Sequence, residues 1–420
     1  MNAAPATVAS SAPTTANRPV VAPVKGDQRL VSLDAYRGFI MLVMASGGLG
    51  IYEVARKSFP DSEVWTTLGY HFHHVSWLGC AFWDLIQPSF MFMVGVAMAY
   101  SYAARAAHGQ SYGRMLGHAI YRSIVLVLLG IFLRSGGGTQ TNYTFMDVVS
   151  QIGLGYTFLF LLWNRPRWVQ GVAAALILVG YWGWFAAYPL PPDDFDYKSV
   201  GVGTEWPHLT GFAAHWDKGT NAAANFDVWF LNQFSRAKPF AYEGSGYPTL
   251  NFIPSLATMI FGLMTGELLR GPRSKSAKFW ILAGSGLAAL LVGKLLDVAG
   301  ICPIVKIIWT PSWAIFSTGW TLWMLAGFYG VIDIAGLRRW SFPFLVVGMN
   351  SIVMYVMYGL LRNWFNTRLK IHFGQELYHQ VADGLHLGAA YVPIVEHVLV
   401  LFAMWLVCLW LYRQRIFVRI

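Results

Sequence analysis

The chain of 420 residues is 56% hydrophobic and only 12% charged, with 19 Trp and 28 Phe. A soluble globular protein of this length needs far more polar surface, so the composition predicts a membrane protein that crosses the bilayer several times. The net charge of +10 does not indicate a nucleic-acid partner, because the charges lie in short clusters between apolar runs. The three cysteines, Cys80, Cys302 and Cys408, are scattered and lack metal-ligand spacing.

The N-terminal residues 1–29 are rich in Ala, Pro, Thr and Val and contain no long apolar run. This composition predicts a disordered tail without a cleavable signal peptide. The first membrane span is therefore expected to direct the chain to the membrane. Residues 30–415 form the predicted transmembrane domain.

The apolar runs predict an all-α integral membrane fold, a bundle of about ten transmembrane helices. A helix needs about 20 apolar residues to cross the hydrocarbon core. The predicted spans lie near 31–54, 79–104, 114–134, 145–163, 168–188, 250–269, 278–298, 309–334, 341–361 and 390–412. The three long connections, 55–78, 189–249 and 362–389, each follow an odd-numbered span and therefore lie on one side of the membrane.

The distribution of Lys and Arg predicts the orientation. One short connection holds Arg270, Arg273, Lys275 and Lys278, whereas the three long connections hold few cations for their length. Because cytoplasmic loops are enriched in Lys and Arg, both termini are predicted to be cytoplasmic and the long loops to face outward.

His74 lies in an outer loop just before the second span, and Asp84 follows ten residues later, inside that span. A carboxylate within a span is costly, so it faces a cavity or a partner. A neutral imidazole can take a proton from an attacking amine or hydroxyl, or can carry an acyl group itself. A turn between the two residues would let Asp84 orient the ring, as in hydrolase triads. The alternative is that Asp84 forms a salt bridge with Arg37 or Arg122.

His71 and His73 raise the question of a metal ion held together with His74. Three histidines within four residues reach one ion only from a distorted loop, and no second cluster of Cys, His or Asp has ligand spacing. No metal site is predicted.

The long outer segment 189–249 is too long for a simple connector and unusually rich in aromatic and acidic residues. Aromatic rings that stack and carboxylates that bind hydroxyls are suited to sugars. Trp77, Asn225 and Asp227 are the residues predicted to bind such an acceptor. The alternative is that the segment only packs on neighbouring loops.

Six short motifs share one resemblance. They are Ser32-Leu33-Asp34-Ala-Tyr-Arg37-Gly38, His74-Val-Ser-Trp77 followed by Asp84-Leu-Ile-Gln-Pro88, Gln151-Ile-Gly-Leu-Gly-Tyr156, Pro254-Ser-Leu-Ala-Thr258, Trp309-Thr-Pro-Ser-Trp313, and Gly348-Met349-Asn350-Ser351. In order and approximate spacing they resemble the membrane domain of heparan-α-glucosaminide N-acetyltransferase and its bacterial relatives. The resemblance covers essentially residues 31–412.

This resemblance implies an acyltransferase that takes an acetyl group from cytosolic acetyl-CoA and places it on an amino sugar or glycan across the membrane. His74 would be the active-site histidine, and acetyl-CoA would be a co-substrate rather than a permanently bound cofactor. The implied location is a bacterial cytoplasmic (inner) membrane. One position departs from the family, which places an Asn in the first span; here Met44–Gly50 contains none, and Ser46 is the candidate substitute.

Four residues are predicted to bind the co-substrate. Arg37 and Arg122 carry guanidinium groups suited to the phosphates of CoA, and Asn350 and Ser351 are polar residues in a span that would line the pantetheine channel. The alternatives are that the arginines neutralise aspartates such as Asp34, and that Asn350 and Ser351 hydrogen-bond between helices.

Two other functional classes remain open. In a transporter or flippase for a cell-envelope sugar or lipid, the intramembrane charges would form a substrate or proton path. Such proteins often contain internal repeats, and no clear repeat relates the two halves of this chain. In a non-catalytic scaffold, His74 and Asp84 would be replaceable. A homodimer is compatible with the sequence, although no interface pattern favours it.

Overall fold

A computed structural model of the chain describes residues 30–418, so the predicted disordered tail 1–29 lies outside the described residues. The α-helices of this range are α1 (Val31–Ala45), α2 (Ile51–Ser58), α3 (Glu63–His71), α4 (Ile86–Ala107), α5 (Tyr112–Ser135), α6 (Val148–Leu162), α7 (Arg167–Ala187), α8 (Ala222–Leu231), α9 (Phe252–Arg270), α10 (Lys275–Val298), α11 (Pro311–Tyr329), α12 (Phe342–Met349), α13 (Ser351–Phe373), α14 (Leu377–Gly384) and α15 (Val392–Arg413).

The predicted all-helical, polytopic fold is confirmed. Within residues 30–418 the only β-pairing is an isolated antiparallel bridge between Leu78 and Val305. A helix lies at each of the ten predicted positions, and seven of them are long and apolar enough to cross a membrane. Two bent helix pairs raise the number of candidate spans to nine. The remaining helix, α6, has 15 residues and is therefore only about 22 Å long.

The first and ninth predicted spans are not continuous helices. After α1, Gly47, Gly48, Leu49 and Gly50 all have positive φ angles, and the chain turns by 44° before α2. Glycine accepts this left-handed conformation at little cost, which explains why three of the four residues are glycine. In the ninth span, α12 and α13 meet at Asn350 with a bend of 69°. The expectation of uninterrupted helices over 31–54 and 341–361 was wrong at these two points.

The centre of the bundle is the pair α4 and α9. Their candidate spans are 72% buried inside the protein, against 17% for α10, which therefore lies at the periphery. Gly95 of α4 faces α9 and Gly262 of α9 faces α4; a Cβ atom at either position would overlap backbone atoms of the other helix. Small residues at such a contact allow two helices to approach closely.

Three segments meet at one end of the bundle, which we call the His74 end. The loop 72–81 precedes α4, and the segment 299–310 precedes α11. The bridge between Leu78 and Val305 joins them, and the Gly79 amide donates to the Ile304 carbonyl at 3.0 Å. The long segment 189–249 lies against both: the indole of Trp77 donates to the carbonyl of the buried Trp216, and the ring of Tyr247 lies 5.7 Å from the Lys306 ammonium.

Candidate active site

The centre of the candidate site is a contact between His74 and Asp84. Nδ1 of His74 lies 2.8 Å from Oδ1 of Asp84. The carboxylate is completely buried, whereas the His74 side chain is 49% exposed. The second carboxylate oxygen of Asp84 accepts hydrogen bonds from the Ala81 amide at 2.9 Å and the Val75 amide at 3.3 Å. These bonds fix the carboxylate and close the turn that brings the two residues together.

Lys306 is the third member of this group. Its side chain is 3% exposed, and Nζ lies 3.1 Å from Asp84 Oδ1 and 2.8 Å from His74 Nδ1. The ammonium also lies 5.7 Å from the centre of the Tyr247 ring. A buried ion pair needs such additional contacts, because the loss of hydration of both charges is costly.

Hydrogen bonds within the segment 299–310 hold Lys306 in place. The Trp309 amide donates to the Lys306 carbonyl at 2.9 Å, and Trp309 adopts a φ of +48°. The Thr310 hydroxyl accepts from the Val305 amide at 3.0 Å and donates to the Pro303 carbonyl at 2.8 Å. This tight turn places the Lys306 side chain inside the protein, immediately before α11 begins.

The two neighbours of Nδ1 require different protonation of this atom, because Asp84 accepts a hydrogen bond and Lys306 donates one. Nδ1 of a neutral imidazole either carries a hydrogen, which it can donate to Asp84, or a lone pair, which can accept from Lys306. The first tautomer leaves a lone pair on Nε2. Within residues 30–418, Nε2 of His74 has no hydrogen-bond partner. When Nδ1 donates to Asp84, Nε2 is therefore available as a base or a nucleophile.

The surroundings favour the neutral form of His74. Burial of the ring lowers its pKa below the usual 6.5, and the positive charge of Lys306 lowers the pKa further, although the hydrogen bond to Asp84 opposes both effects. The nearby thiol of Cys80 has its pKa raised by burial to about 12. Cys80 is therefore a protonated thiol at neutral pH, which leaves His74 as the stronger nucleophile of the two.

The other two histidines of the loop have separate partners. Nδ1 of His71 accepts from the Phe82 amide at 3.4 Å. The ring of His73 stacks on Tyr52 with centroids 4.0 Å apart, and its Nδ1 donates to the His74 carbonyl. Within the described residues, no group of three or more His, Cys, Asp or Glu side chains is placed to hold a metal ion.

The predicted acceptor residues lie in and beside a small cavity, which we call the Asp227 cavity. Its volume is about 40 Å³, and Asn225, Asp227, Glu243 and Tyr247 contribute to its lining. Asp227 is 3% exposed; its Oδ2 accepts from the Thr249 amide at 2.8 Å, whereas its Oδ1 has no hydrogen-bond partner within residues 30–418. Burial raises the pKa of Asp227 to about 6.

The Asp227 cavity adjoins the His74 site through Tyr247, whose ring contacts the Lys306 ammonium. Trp77, by contrast, is only 4% exposed and packs edge-on against Trp206 with centroids 5.8 Å apart. Its indole therefore connects the His74 loop to the segment 189–249 and presents no open face for stacking.

Most of the predicted co-substrate residues lie away from the His74 end. The guanidinium of Arg37, near the start of α1, pairs with Asp34 at 2.9 Å and donates to the Gly348 carbonyl at 2.9 Å. Asn350 is fully buried; its side chain donates to the Ile416 carbonyl and accepts from the Val418 amide, both at 3.0 Å. Ser351 is half-buried at the first position of α13.

Arg122 belongs to a cluster of basic residues between α4, α5 and α6. Its guanidinium lies 4.7 Å from the centre of the Tyr156 ring, and its Nε is buried without a hydrogen-bond partner within residues 30–418. Nearby, Arg105 contacts Nε2 of His118 at 2.8 Å, and Nδ1 of His118 lies 3.3 Å from the Tyr102 hydroxyl. Arg105, His118 and Arg122 form no ion pair with a described carboxylate.

One sequence expectation about a charge pair is wrong. Asp84 pairs with Lys306 and not with the alternative partners Arg37 or Arg122. Lys294 and Asp297, three residues apart on α10, form a separate pair with Nζ and Oδ2 2.7 Å apart. Ser46, the candidate substitute for the missing Asn, is buried and donates to the Val43 carbonyl of its own helix at 2.6 Å.

Lys306 is the residue that sequence reasoning missed. The signal was its isolation: it is the only charged residue in the apolar run Ile301–Trp309, directly before a predicted span. A lone cation in such a run is buried only with a partner, and Asp84 was the carboxylate still without one.

Comparison with known proteins agrees with the motif resemblance. No protein-family profile matches the chain. Heparan-alpha-glucosaminide N-acetyltransferase of Homo sapiens is 25% identical over 432 residues, which cover 93% of this chain and 60% of that protein. The enzyme of the same name from Mus musculus is 23% identical over 411 residues, covering 87% of this chain and 59% of that protein. The chain is thus a distant relative of these transferases and spans about 60% of their length.

Proposed function

We propose that the protein is a membrane acyltransferase that moves an acetyl group from acetyl-CoA to an acceptor at the His74 end. The observation that supports this proposal best is the His74 imidazole, whose Nδ1 faces the buried Asp84 and whose Nε2 is free. Such a pair activates a nucleophile or carries an acyl group, and the curated relatives are acetyltransferases by name.

In a direct transfer, the acceptor amine or hydroxyl attacks the thioester carbonyl carbon. A new C–N or C–O bond forms and the C–S bond breaks. Nε2 of His74 takes the proton that the attacking atom loses, and the CoA thiolate recovers that proton as it leaves. In a two-step transfer, Nε2 itself attacks the thioester, so that an N–C bond forms, the C–S bond breaks and CoA leaves as the thiolate. The acceptor then attacks the acyl carbon and the N–C bond breaks. The proton that the acceptor loses passes to the freed Nε2 and from there to the CoA thiolate. In both routes Asp84 stabilises the positive charge on the ring, and the neutral His74 favoured by its surroundings is the reactive form.

The cluster of Arg105, His118 and Arg122 is the site that we propose for the phosphates of CoA. A phosphate group would suit Arg105 and Arg122, because neither has a carboxylate partner among the described residues. The buried Nε of Arg122 also lacks an acceptor there. The cluster contacts Tyr102, which lies 18 residues after Asp84 on the same run of helix, or about 27 Å along it. The thioester at the end of a long flexible arm would have to cover this distance. Arg37 and Asn350 already bind protein groups and are weaker candidates.

The Asp227 cavity is the proposed site for a polar group of the acceptor. A volume of about 40 Å³ is too small for a sugar ring and suits a single ammonium or hydroxyl group, or one or two waters. The unpartnered Oδ1 of Asp227 would accept a hydrogen bond from that group. The proposed acceptor is an amino sugar or glycan on the outer face of a bacterial inner membrane, as the motif resemblance implies, and a single polar group of such an acceptor is compatible with this cavity.

The proposal is tested in proteoliposomes that contain the protein in a known orientation. Radiolabelled acetyl-CoA is supplied on one side and glucosamine on the other, and acetylated product is measured by chromatography. We expect product only when acetyl-CoA faces the side of α1's first turn and glucosamine faces the His74 end. In a parallel experiment with radiolabelled glucosamine, label that crosses the membrane unmodified, without any acetylated product, would instead identify a transporter.

A further inference from the structure

A second arrangement of charged residues lies on α13 and α15, away from the residues proposed for acyl transfer. Nη2 of Arg362 lies 2.8 Å from Nε2 of His397. Nδ1 of His397 lies 2.8 Å from the Pro393 carbonyl, to which it can only donate. Nε2 therefore holds the lone pair that accepts from Arg362, and His397 is neutral in this arrangement.

The positive charge of Arg362 is consequently not balanced by its partner. Within residues 30–418, Arg362 forms no ion pair with a carboxylate. The acidic neighbour of His397, Glu396, is bound elsewhere: it accepts from Asn366 at 2.8 Å and lies 3.9 Å from the Lys370 ammonium. An unbalanced cation in a membrane helix is costly, so such residues usually serve a ligand or a path.

Arg362 borders an open groove of about 280 Å³, which we call the Arg362 groove. Tyr358, Gly359, Leu360, Arg362 and Asn363 line it, so a guanidinium, a phenol and an amide can each donate a hydrogen bond into it. Arg362 lies 11 residues after Ser351, about 16 Å along α13, within the second bent candidate span.

The Arg362 groove lies next to the break in the first span. A Cβ atom at Gly47 would contact both the His397 ring and the Tyr358 hydroxyl, and one at Gly50 would contact His397. From the same break, Gly48 faces the Phe72 carbonyl, two residues before His74. Only one turn of backbone thus separates the Arg362 groove from the His74 loop.

We propose that the Arg362 groove is a binding site for the phosphate group of a lipid. Guanidinium with flanking hydroxyl and amide donors matches the oxygens of a phosphate. Because Arg362 lies on a candidate membrane span, a phosphate carried on an apolar chain can reach it. Two sources share this chemistry, a glycerophospholipid and a phosphorylated polyprenol. This site is independent of the proposed acyl transfer.

Native mass spectrometry of the purified full chain in detergent tests this site without an activity assay. Phosphatidylglycerol, polyprenyl monophosphate and the uncharged diacylglycerol are each titrated against wild type, Arg362→Gln and Arg362→Lys. We expect wild type to bind at least one of the two phosphate lipids more tightly than diacylglycerol. Arg362→Gln should bind that lipid roughly tenfold to a hundredfold more weakly, since one or two charge-assisted hydrogen bonds are lost. Arg362→Lys should fall between the two.

The matched control is Arg368→Gln. Arg368 lies further along α13, is exposed, and has its guanidinium 5.6 Å from the centre of the Trp364 ring. Its loss should leave lipid binding unchanged. A preference for phosphatidylglycerol would identify a bilayer lipid as the occupant, and a preference for the polyprenyl phosphate would identify a lipid carrier. Equal binding of both phosphate lipids by wild type and Arg362→Gln, or no binding beyond that of diacylglycerol, would overturn the proposal.

Discussion

The ammonium of Lys306 lies 2.8 Å from Nδ1 of His74, on the same ring nitrogen that faces Asp84. The two residues are 232 positions apart in the chain and are brought together by the pairing of the loops before α4 and before α11. A cation at this distance opposes protonation of the imidazole, while the carboxylate of Asp84 supports the imidazolium that forms during transfer. The two charges together set the pH range in which His74 is both neutral and correctly oriented.

Lys306→Gln is expected to move the acid limb of the pH–rate profile to higher pH. The reactive form of His74 is neutral, so activity rises as pH rises through its pKa, which lies below 6.5 in the wild type. Because the Lys306 charge lowers this pKa, its removal raises the pKa and shifts the limb upward. The change also leaves Asp84 buried without its cation, which costs about 3–5 kcal/mol of stability.

The measurement is kcat/KM for acetyl-CoA between pH 5 and 8, with thermal unfolding recorded for each variant. Lys294→Gln is the control, because Lys294 pairs with Asp297 while its side chain is 59% exposed. Exposed pairs contribute little, so neither the profile nor the stability should change measurably. If the acid limb lies at the same pH in Lys306→Gln and in wild type, the charge of Lys306 does not lower the pKa of His74.

Asp84→Asn is expected to lower kcat by about 10³–10⁴, with little change in the KM for acetyl-CoA. The amide does not stabilise the imidazolium and no longer fixes the tautomer that leaves Nε2 free; a similar exchange in a serine-protease triad has an effect of this size. Steady-state kinetics of purified protein give both constants. A higher KM with an unchanged kcat would show that Asp84 contributes to acetyl-CoA binding rather than to the activation of His74.

Arg122→Gln is expected to raise the KM for acetyl-CoA roughly tenfold and to leave kcat nearly unchanged. The reason is the loss of a charge-assisted contact with a phosphate, made equally in the ground state and the transition state. Arg114→Gln is the matched control, since Arg114 is exposed near the start of the same helix. The same KM in Arg122→Gln and wild type would remove the cluster of basic residues from co-substrate binding.

Asp227→Asn is expected to make the stability of the protein less dependent on pH. The pKa of Asp227 is raised from 3.8 to about 6, so the fold favours the protonated acid. This contribution is fully present below pH 3.8 and is lost as pH rises through about 6, with a total on the order of 3 kcal/mol. Asn cannot ionise and keeps an acceptor for the Thr249 amide.

Melting temperatures at pH 5 and pH 8 test this expectation. The Asn variant should melt higher than wild type at pH 8, and the difference should shrink at pH 5. If the difference in melting temperature between the variant and the wild type is the same at pH 5 and pH 8, Asp227 is ionised at both pH values, contrary to the expectation from its burial.

The sequence predicted the all-helical fold and a turn that brings Asp84 to His74, because apolar runs and an intramembrane carboxylate are local signals. The catalytic roles of the two residues stay predictions. The sequence did not predict the contact with Lys306, which depends on the pairing of Leu78 with Val305 across more than 200 residues. The breaks at Gly47–Gly50 and Asn350 were also missed, since their flanking residues are apolar enough to continue a helix. Trp77 and Asn350 were predicted to bind ligands from their residue type and their place in the motifs, and the folded chain gives each of them a protein partner. Their binding of a ligand stays a prediction.

The most direct test of the account compares His74→Gln with His73→Gln in the acetyl-transfer assay with radiolabelled acetyl-CoA and glucosamine. Both replacements change one histidine of the same loop, and His73 only stacks on Tyr52 and donates to a backbone carbonyl. We expect that His74→Gln, folded as judged by its melting temperature, loses transfer to background while His73→Gln retains it. Transfer by His74→Gln at the wild-type rate would show that His74 has no part in the reaction.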